Sequence, residues 1–188
     1  MKIFFTGSLH VGSNHNLYTV MIKTLKDLGH TVISDHVLNN SIEEMDAWTT
    51  KDRTEYHRKM SKAITTCDLA VCEVSFPSTI SIGHEVTLAL DKGKPVIGLY
   101  QPGKEPGVLQ GIHSDKFMMY EYDAKNLAEV LEYAMDEASE KIDVRYNFFI
   151  SPKMARFLDV VAKDKKLPRA VYLRQLIEED MKESGYKE

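Results

Sequence analysis

Apolar residues fall along this chain in short runs separated by stretches with helical spacing. Ile3-Phe4-Phe5, Thr31-Val32-Ile33, Leu69-Ala70-Val71-Cys72, Val96-Ile97-Gly98-Leu99-Tyr100 and Phe117-Met118-Met119-Tyr120 have the length and continuity of buried strands. Between them, Leu17, Met21, Ile22 and Leu25 recur at helical spacing, and Gly29 stands where a C-cap belongs. Tyr56 to Thr66 and Val86 to Leu90 predict two further helices, and Leu127, Val130, Leu131, Ala134, Met135 and Ala138 an amphipathic last one. Continuous apolar strands alternating with helices imply a parallel sheet covered on both faces. The expected fold is α/β, a Rossmann-like five-stranded parallel sheet sandwich. The polar stretch from Asn39 to Asp52 is expected to be a mobile loop or lid.

The pattern changes after the last helix. Arg145-Tyr146-Asn147-Phe148-Phe149-Ile150 predicts a strand, and Ser151-Pro152 a helix start with an N-cap serine and a first-turn proline. Met154, Phe157, Leu158 and Val161 give that helix an apolar face. Leu167-Pro168-Arg169 interrupts it, and Val171, Leu173, Leu176, Ile177 and Met181 serve a second helix. Charge divides the chain at the same place. Residues 1–144 carry 14 Lys/Arg against 21 Asp/Glu, whereas residues 145–188 carry 10 against 7. Two units are expected, residues 1–142 and 143–188.

Bulk properties exclude some classes. No apolar run approaches the roughly 18 residues of a membrane span, and Met1 to Phe5 is too short for a secretory leader. Cys67 and Cys72 fit neither a disulfide framework nor a zinc site, so buried free thiols in a cytoplasmic protein are expected. No pair among the seven histidines makes a metal-ligand motif, and no metal is expected. The Gly-x-Gly-x-x-Gly fingerprint and the Walker loop are both absent, which argues against a dinucleotide cofactor, and no cofactor is expected. A formal charge of −4 gives the whole chain no electrostatic claim on nucleic acid.

The candidate chemistry gathers at strand ends. In open parallel sheets ligands bind beyond the carboxyl ends of the strands. Gly7-Ser8 ends the first strand, Asp35-His36 the second, and the loop Ser75 to Glu85 follows the third. Gly7 and Gly12 allow close backbone approach, suited to a phosphate, although a tight turn explains Gly7-Ser8 equally well. Glu85 is expected in the first turn of a short helix, placed either to meet a substrate or to complement the helix dipole.

In order along the chain, Phe5-Thr6-Gly7-Ser8-Leu9, Val32-Ile33-Ser34-Asp35-His36-Val37, Cys67-Asp68-Leu69-Ala70-Val71, Glu73-Val74-Ser75-Phe76-Pro77-Ser78 and Gly83-His84-Glu85 resemble the nucleoside 2-deoxyribosyltransferase superfamily. Within it the likeness is to the 2′-deoxynucleoside 5′-monophosphate N-hydrolases, over roughly residues 2–135. The resemblance implies cleavage or transfer at the N-glycosidic bond of a (deoxy)nucleoside 5′-monophosphate. Glu85 would be the nucleophile at the anomeric carbon, and Gly7, Ser8 and Ser78 would hold the phosphate. The substrate-binding set would extend to Leu9, Gly12, His36, Ser81, Gly83 and His84. Two positions depart from the family pattern. Met60 stands where relatives carry an aspartate thought to handle the proton at the base, and Phe4 stands where the hydrolases carry a tyrosine. His57, one helical turn before Met60, is a possible replacement proton donor.

Residues 145–184 resemble a ribbon-helix-helix unit, a small β-α-α motif that pairs strand to strand in dimers. Forty-odd residues bury too little apolar surface alone, so a homodimer or homotetramer is expected. Arg145 and Asn147 are possible DNA contacts, because β-ribbons fit the major groove. Two functions follow from the sequence. One is an enzyme acting on a nucleotide or nucleoside, held together by its tail. The other is a non-catalytic nucleotide-sensing regulator whose tail binds DNA.

Overall fold

The computed structural model describes residues 1–9, 15–143 and 147–186. The chain divides into two units, Met1–Val144 and Arg145–Glu188. Gly12 and Arg145, both singled out in the sequence, lie outside the described residues.

The first unit is built on five parallel strands: β1 (Lys2–Gly7), β2 (Thr31–Ile33), β3 (Leu69–Glu73), β4 (Val96–Tyr100) and β5 (Phe117–Glu121), in the order β2-β1-β3-β4-β5. All four neighbouring pairs are parallel, with Ile3 opposite Leu69 and Gly7 opposite Glu73 where β1 meets β3. The expected five-stranded parallel sandwich is present. Sheet alternation divides the core cleanly. Ile3, Phe5, Leu69, Val71, Ile97 and Leu99 meet α1 (His15–Asp27) and α6 (Leu127–Glu140) on one face. Phe4, Ala70, Cys72 and Val96 meet α4 (Thr50–Thr66) and α5 (Ile80–Asp91) on the other. Because the chain leaves β1 for one side and returns to β3 on the other, this order reverses between those two strands. The crevice for a ligand lies at such a switch point.

Two expectations change. The polar stretch Asn39–Asp52 holds ordered helix. After the short α2 (Asp35–Leu38) comes α3 (Ile42–Asp46), and α4 starts as early as Thr50. Each of the latter two is started by a capping box. The Ser41 hydroxyl accepts from the Glu44 amide while the Glu44 carboxylate takes the Ser41 amide. Thr49 and Asp52 do the same for α4. Reciprocal caps satisfy the orphan amides of a helix start, which lets even a polar segment hold helix. The second change concerns α5, which begins at Ile80 and has no acidic residue in its first turn. Glu85 therefore sits in the second turn, on the face turned to the sheet, and the dipole reading lapses.

The second unit contains α7 (Pro152–Lys165) and α8 (Arg169–Glu183). Ser151 caps α7 by accepting from the Met154 amide at 3.2 Å, with Pro152 at the first helical position. Lys166, at φ 54°, ends it in the left-handed conformation, and an Arg169–Asp159 ion pair ties α8 back to it. The expected strand does not form over its described part: Asn147 to Ile150 belong to no strand. A strand is defined by a ladder, and the ribbon read from the sequence takes its ladder from a second chain. Leu158 is buried, Val161, Val171 and Leu173 are half-buried, and Phe149, Phe157, Val160 and Ile177 are exposed.

Candidate active site

At the carboxyl ends of β1 and β3 a cavity of about 220 Å³ opens between the sheet, α5 and the α3–α4 segment. Thr6 and Gly7 form its floor, with Glu85, Ile82, Ser81 and Thr79 from α5 and its cap on one wall. Across from them stand Met45, Asp46, Arg53 and Tyr56. Strand parity explains the floor. Thr6 lies on the same face of β1 as Phe4, towards α4 and α5, and its hydroxyl hydrogen-bonds Glu85.

Glu85 is 3% exposed. One carboxylate oxygen, Oε2, is buried with no hydrogen-bond partner among the described residues. Burial pushes the carboxyl up to about 7, against a smaller lowering from the Thr6 bond. Tyr56 feels the same group: burial, and then the Glu85 charge, push its phenol up to about 12. A buried, half-satisfied carboxylate beside a cavity is a candidate functional group, because desolvation destabilises its charged form.

His36 stands beside it. Its ring stacks on Phe4, with centroids 4.7 Å apart and planes 6° off parallel. Its Nε2 is buried without a partner among the described residues. Burial lowers its pKa to about 4, only partly countered by Asp35, so the ring is neutral near pH 7. On the far side of His36 and Tyr56 lies a second cavity, of about 510 Å³, shared between β2, α2 and α4. Met60 lines that second space.

The cavity brings together Gly7, Leu9, His36, Ser81 and Glu85 of the residues singled out in the sequence. Ser8 is buried, and its carbonyl accepts from the Tyr18 hydroxyl at 2.9 Å. Ser78 and His84 are exposed, and neither they nor Gly83 line the cavity. His57 is exposed as well and stacks on His84 at 5.6 Å instead of facing Glu85. Thr6, Thr79, Arg53 and Tyr56 are among the lining residues that sequence reading passed over. For Arg53 and Tyr56 the Thr49–Asp52 capping box signals only that α4 starts early enough to include both. Arg53 also spans the α3–α4 turn, donating to the carbonyls of Met45, Asp46 and Trp48 at 3.2 to 3.3 Å.

No family model matches the chain. Individual proteins do. A protein of Methanococcoides burtonii named 2'-deoxynucleoside 5'-phosphate N-hydrolase 1 is 34% identical over 103 residues, which cover 54% of this chain and 82% of that one. A protein of the same name from Nematostella vectensis is 31% identical over 135 residues, 69% of this chain and 90% of that one. The chain belongs to the 2'-deoxynucleoside 5'-phosphate N-hydrolase family. The solved CMP N-glycosidase of Clostridium botulinum has the same fold, with a TM-score of 0.52, 18% identity, and coverage of 70% of this chain and 99% of that one.

Among the described residues, no group of three or more His, Cys, Asp or Glu is placed to hold an ion. Nor is any described helix long and apolar enough to cross a membrane. The two positions at which the resemblance implies other residues are both built into the core. Phe4 is fully buried under His36, and Met60 is 5% exposed in the cluster between α4 and the sheet.

Proposed function

We propose that this protein is a nucleotide N-glycosidase that hydrolyses the N-glycosidic bond of a 2′-deoxynucleoside 5′-monophosphate, with Glu85 as the nucleophile. The observation that carries the reading is the half-satisfied Glu85 carboxylate, buried at the sheet's switch point and open to the cavity, in a member of this family. In the first step a Glu85 oxygen forms a bond to C1′ as the bond from C1′ to the base breaks, and the departing base takes the electron pair and a proton from solvent. Water then attacks C1′, gives its proton to solvent and releases the carboxylate. A carboxylate destabilised by burial gains most from meeting an oxocarbenium-like centre. Thr6 holds its other oxygen and fixes the direction of approach.

The 5′-phosphate belongs at the start of α5. Thr79 stands at the N-cap position without capping through its side chain, so its hydroxyl is free for a ligand, and Ser81 lies two residues on. Helix-start amides with two hydroxyls suit a phosphate, and Arg53 is the one Lys or Arg among the described lining residues. The phosphate then lies at Thr79 and Ser81 instead of at Gly7, Ser8 and Ser78, the set the resemblance implies.

A screen of nucleoside monophosphates for released base tests the reaction. Release from at least one of them by the native chain, lost in Glu85→Gln, is the expected result; no release from any would remove the hydrolase reading. Calorimetry on one nucleoside and its 5′-monophosphate tests the phosphate, and equal affinities would overturn that part alone.

For the second unit we propose pairing with its own copy. Phe157 and Ile177 are 58% and 61% exposed on two helices that bury only Leu158 between them. Removing residues after Ile142 should lower the subunit number seen by light scattering. The first unit should stay folded, because its sheet and α6 are complete by Glu140. An unchanged subunit number would mean that the tail does not assemble the protein.

A further inference from the structure

Arg53 lines the Glu85 cavity and also fastens one of its walls. That wall contains α3, five residues long, with Glu43 and Glu44 in its first turn and no basic residue in its last. So short a helix is not stable through its own ladder. The Ser41–Glu44 capping box secures its start, but its end leaves orphan carbonyls and has no cation of its own to meet them. Arg53 reaches back from the start of α4 to supply one. Its Nη2 donates to the carbonyls of Met45 at 3.2 Å and Asp46 at 3.3 Å, and its Nε to the carbonyl of Trp48 at 3.3 Å.

This arrangement leaves two things uncommitted. A guanidinium has five N–H donors in a planar fork, and the two on Nη1 donate to none of the described residues. All three acceptors are uncharged carbonyls, and among the described residues Arg53 forms no ion pair. Its charge is therefore not neutralised, in a cavity whose lining otherwise carries the carboxyl groups of Asp46 and Glu85. A lysine could supply the charge, but not three directed donors and a free pair beside them.

We infer that Arg53 couples the ligand to the wall: a phosphomonoester group takes the Nη1 donors while Nε and Nη2 go on capping α3, so that binding stiffens the segment from Met45 to Trp48. The class of ligand rests on the phosphate reading above. A rigid, planar guanidinium transmits order because a contact on one of its nitrogens fixes the plane that the carbonyls meet. Linkage makes the effect reciprocal: an ordered wall must raise the affinity for the anion by the same factor.

The amides of Met45 and Trp48 donate to the carbonyls of Ser41 and Met45 at 3.0 and 3.2 Å, so their hydrogen exchange reads the opening of the wall. In the full-length native protein, saturating 2-deoxyribose 5-phosphate should slow both by about fivefold or more, and 2-deoxyribose should not. In Arg53→Lys both should exchange faster without ligand and gain nothing from the sugar phosphate, because lysine keeps the charge and loses the fork. Arg53→Gln keeps a donor without the charge. It should bind the sugar phosphate about tenfold or more weakly by calorimetry, with the affinity for 2-deoxyribose unchanged. Slowing that persists in Arg53→Lys overturns the inference, as does sugar phosphate bound without slowing in the native protein, or no binding of it at all. Equal losses for sugar and sugar phosphate in Arg53→Gln overturn it too, since a merely structural arginine would weaken both alike. Base release from a monophosphate with exchange unchanged removes the coupling and leaves the hydrolase standing; slowing without release of base from any monophosphate does the reverse.

Discussion

Two glutamates lie buried at the same end of the sheet, and only one of them is left open. Glu73 ends β3 on the face that packs against α1 and α6, and Glu85 comes down from α5 on the opposite face. They are 6% and 3% exposed, and burial raises both carboxyls. Their partners differ. The Tyr122 hydroxyl donates to Glu73 at 3.1 Å and Ser75 donates to the same oxygen, while Ser75 in turn accepts from the Gln101 amide at 2.9 Å. Glu85 has Thr6 and an orphaned oxygen. Satisfied, a buried carboxylate fastens a loop; half-satisfied beside a cavity, it suits the nucleophile proposed for Glu85. Burial alone does not separate the two.

The largest expected effect follows from that difference. Glu85→Gln keeps the volume and removes the charge and the proposed nucleophile, so turnover should fall by about a hundredfold or more with ligand affinity retained. Glu73→Gln should leave turnover within about tenfold, because an amide oxygen can still accept from Tyr122. Steady-state rates of the two variants decide it, and equal losses would break the comparison.

Stability should sort the pair in the opposite direction. Glu85, at about 7 when folded against 4.5 as its ordinary value, keeps a proton between those pH values that the unfolded chain releases. Stability therefore falls as pH rises through that window, by about 3 kcal/mol once pH exceeds 7. Glu85→Gln should be more stable than the native chain at pH 8 by up to that amount, and the gain should vanish near pH 4.5. His36 opposes it. Its folded pKa of about 4 lies below its ordinary 6.5, so the unfolded chain binds the extra proton and stability rises with pH between those values. In the native protein the two slopes offset each other between about pH 4.5 and 6.5, and in Glu85→Gln the rise due to His36 should appear. Urea titrations at pH 4.5, 6.5 and 8 measure all three points. A variant no more stable than the native chain at pH 8 would mean that Glu85 is not held against its own solvation.

Removing the Glu73 carboxylate altogether should cost stability. Glu73→Ala leaves the buried Tyr122 hydroxyl without its acceptor and frees Ser75, a loss of about 1–3 kcal/mol. Thermal unfolding at one pH suffices, and an unchanged Tm would show that this network is not structural.

The sequence made one glutamate visible and hid the reason for it. The strands are legible because both faces of a parallel sheet are covered, so Leu69 to Cys72 and Val96 to Tyr100 read as unbroken apolar runs. Glu85 stands out because it closes the stretch that follows such a strand and belongs to the Gly83-His84-Glu85 motif of the family resemblance. Glu73 sits inside the same stretch, but its partner Tyr122 is 49 residues away, and no local pattern announces such a bond. The α3–α4 wall was written in two capping boxes, yet polar composition made it look like a loop; local cap chemistry outweighed the missing apolar stripe. Its contribution of Arg53 and Tyr56 to the site depends on tertiary packing and could not be read from spacing.

The smallest expected effect lies between the two carboxylates. Gly7 pairs in register with Glu73, while its neighbour Thr6 holds Glu85. A ligand's need for close backbone approach is one reason for glycine there, and the structure supplies another. A Cβ on Gly7 would lie 2.7 Å from Cζ of Tyr18, whose ring is buried on the α1 face with its hydroxyl bonded to the Ser8 carbonyl. Gly7→Ala should therefore cost about 1–3 kcal/mol through overpacking, even with the cavity empty. If Tyr18 is the whole cause, Tyr18→Leu should absorb most of that cost, and the double mutant should be markedly less destabilised than the two single changes added together. If phosphate or sugar also needs the space, the double mutant will fold well and still bind nucleotide weakly. Strict additivity in stability would mean that the ring does not dictate the glycine, and its conservation of space would then belong to the Glu85 side alone.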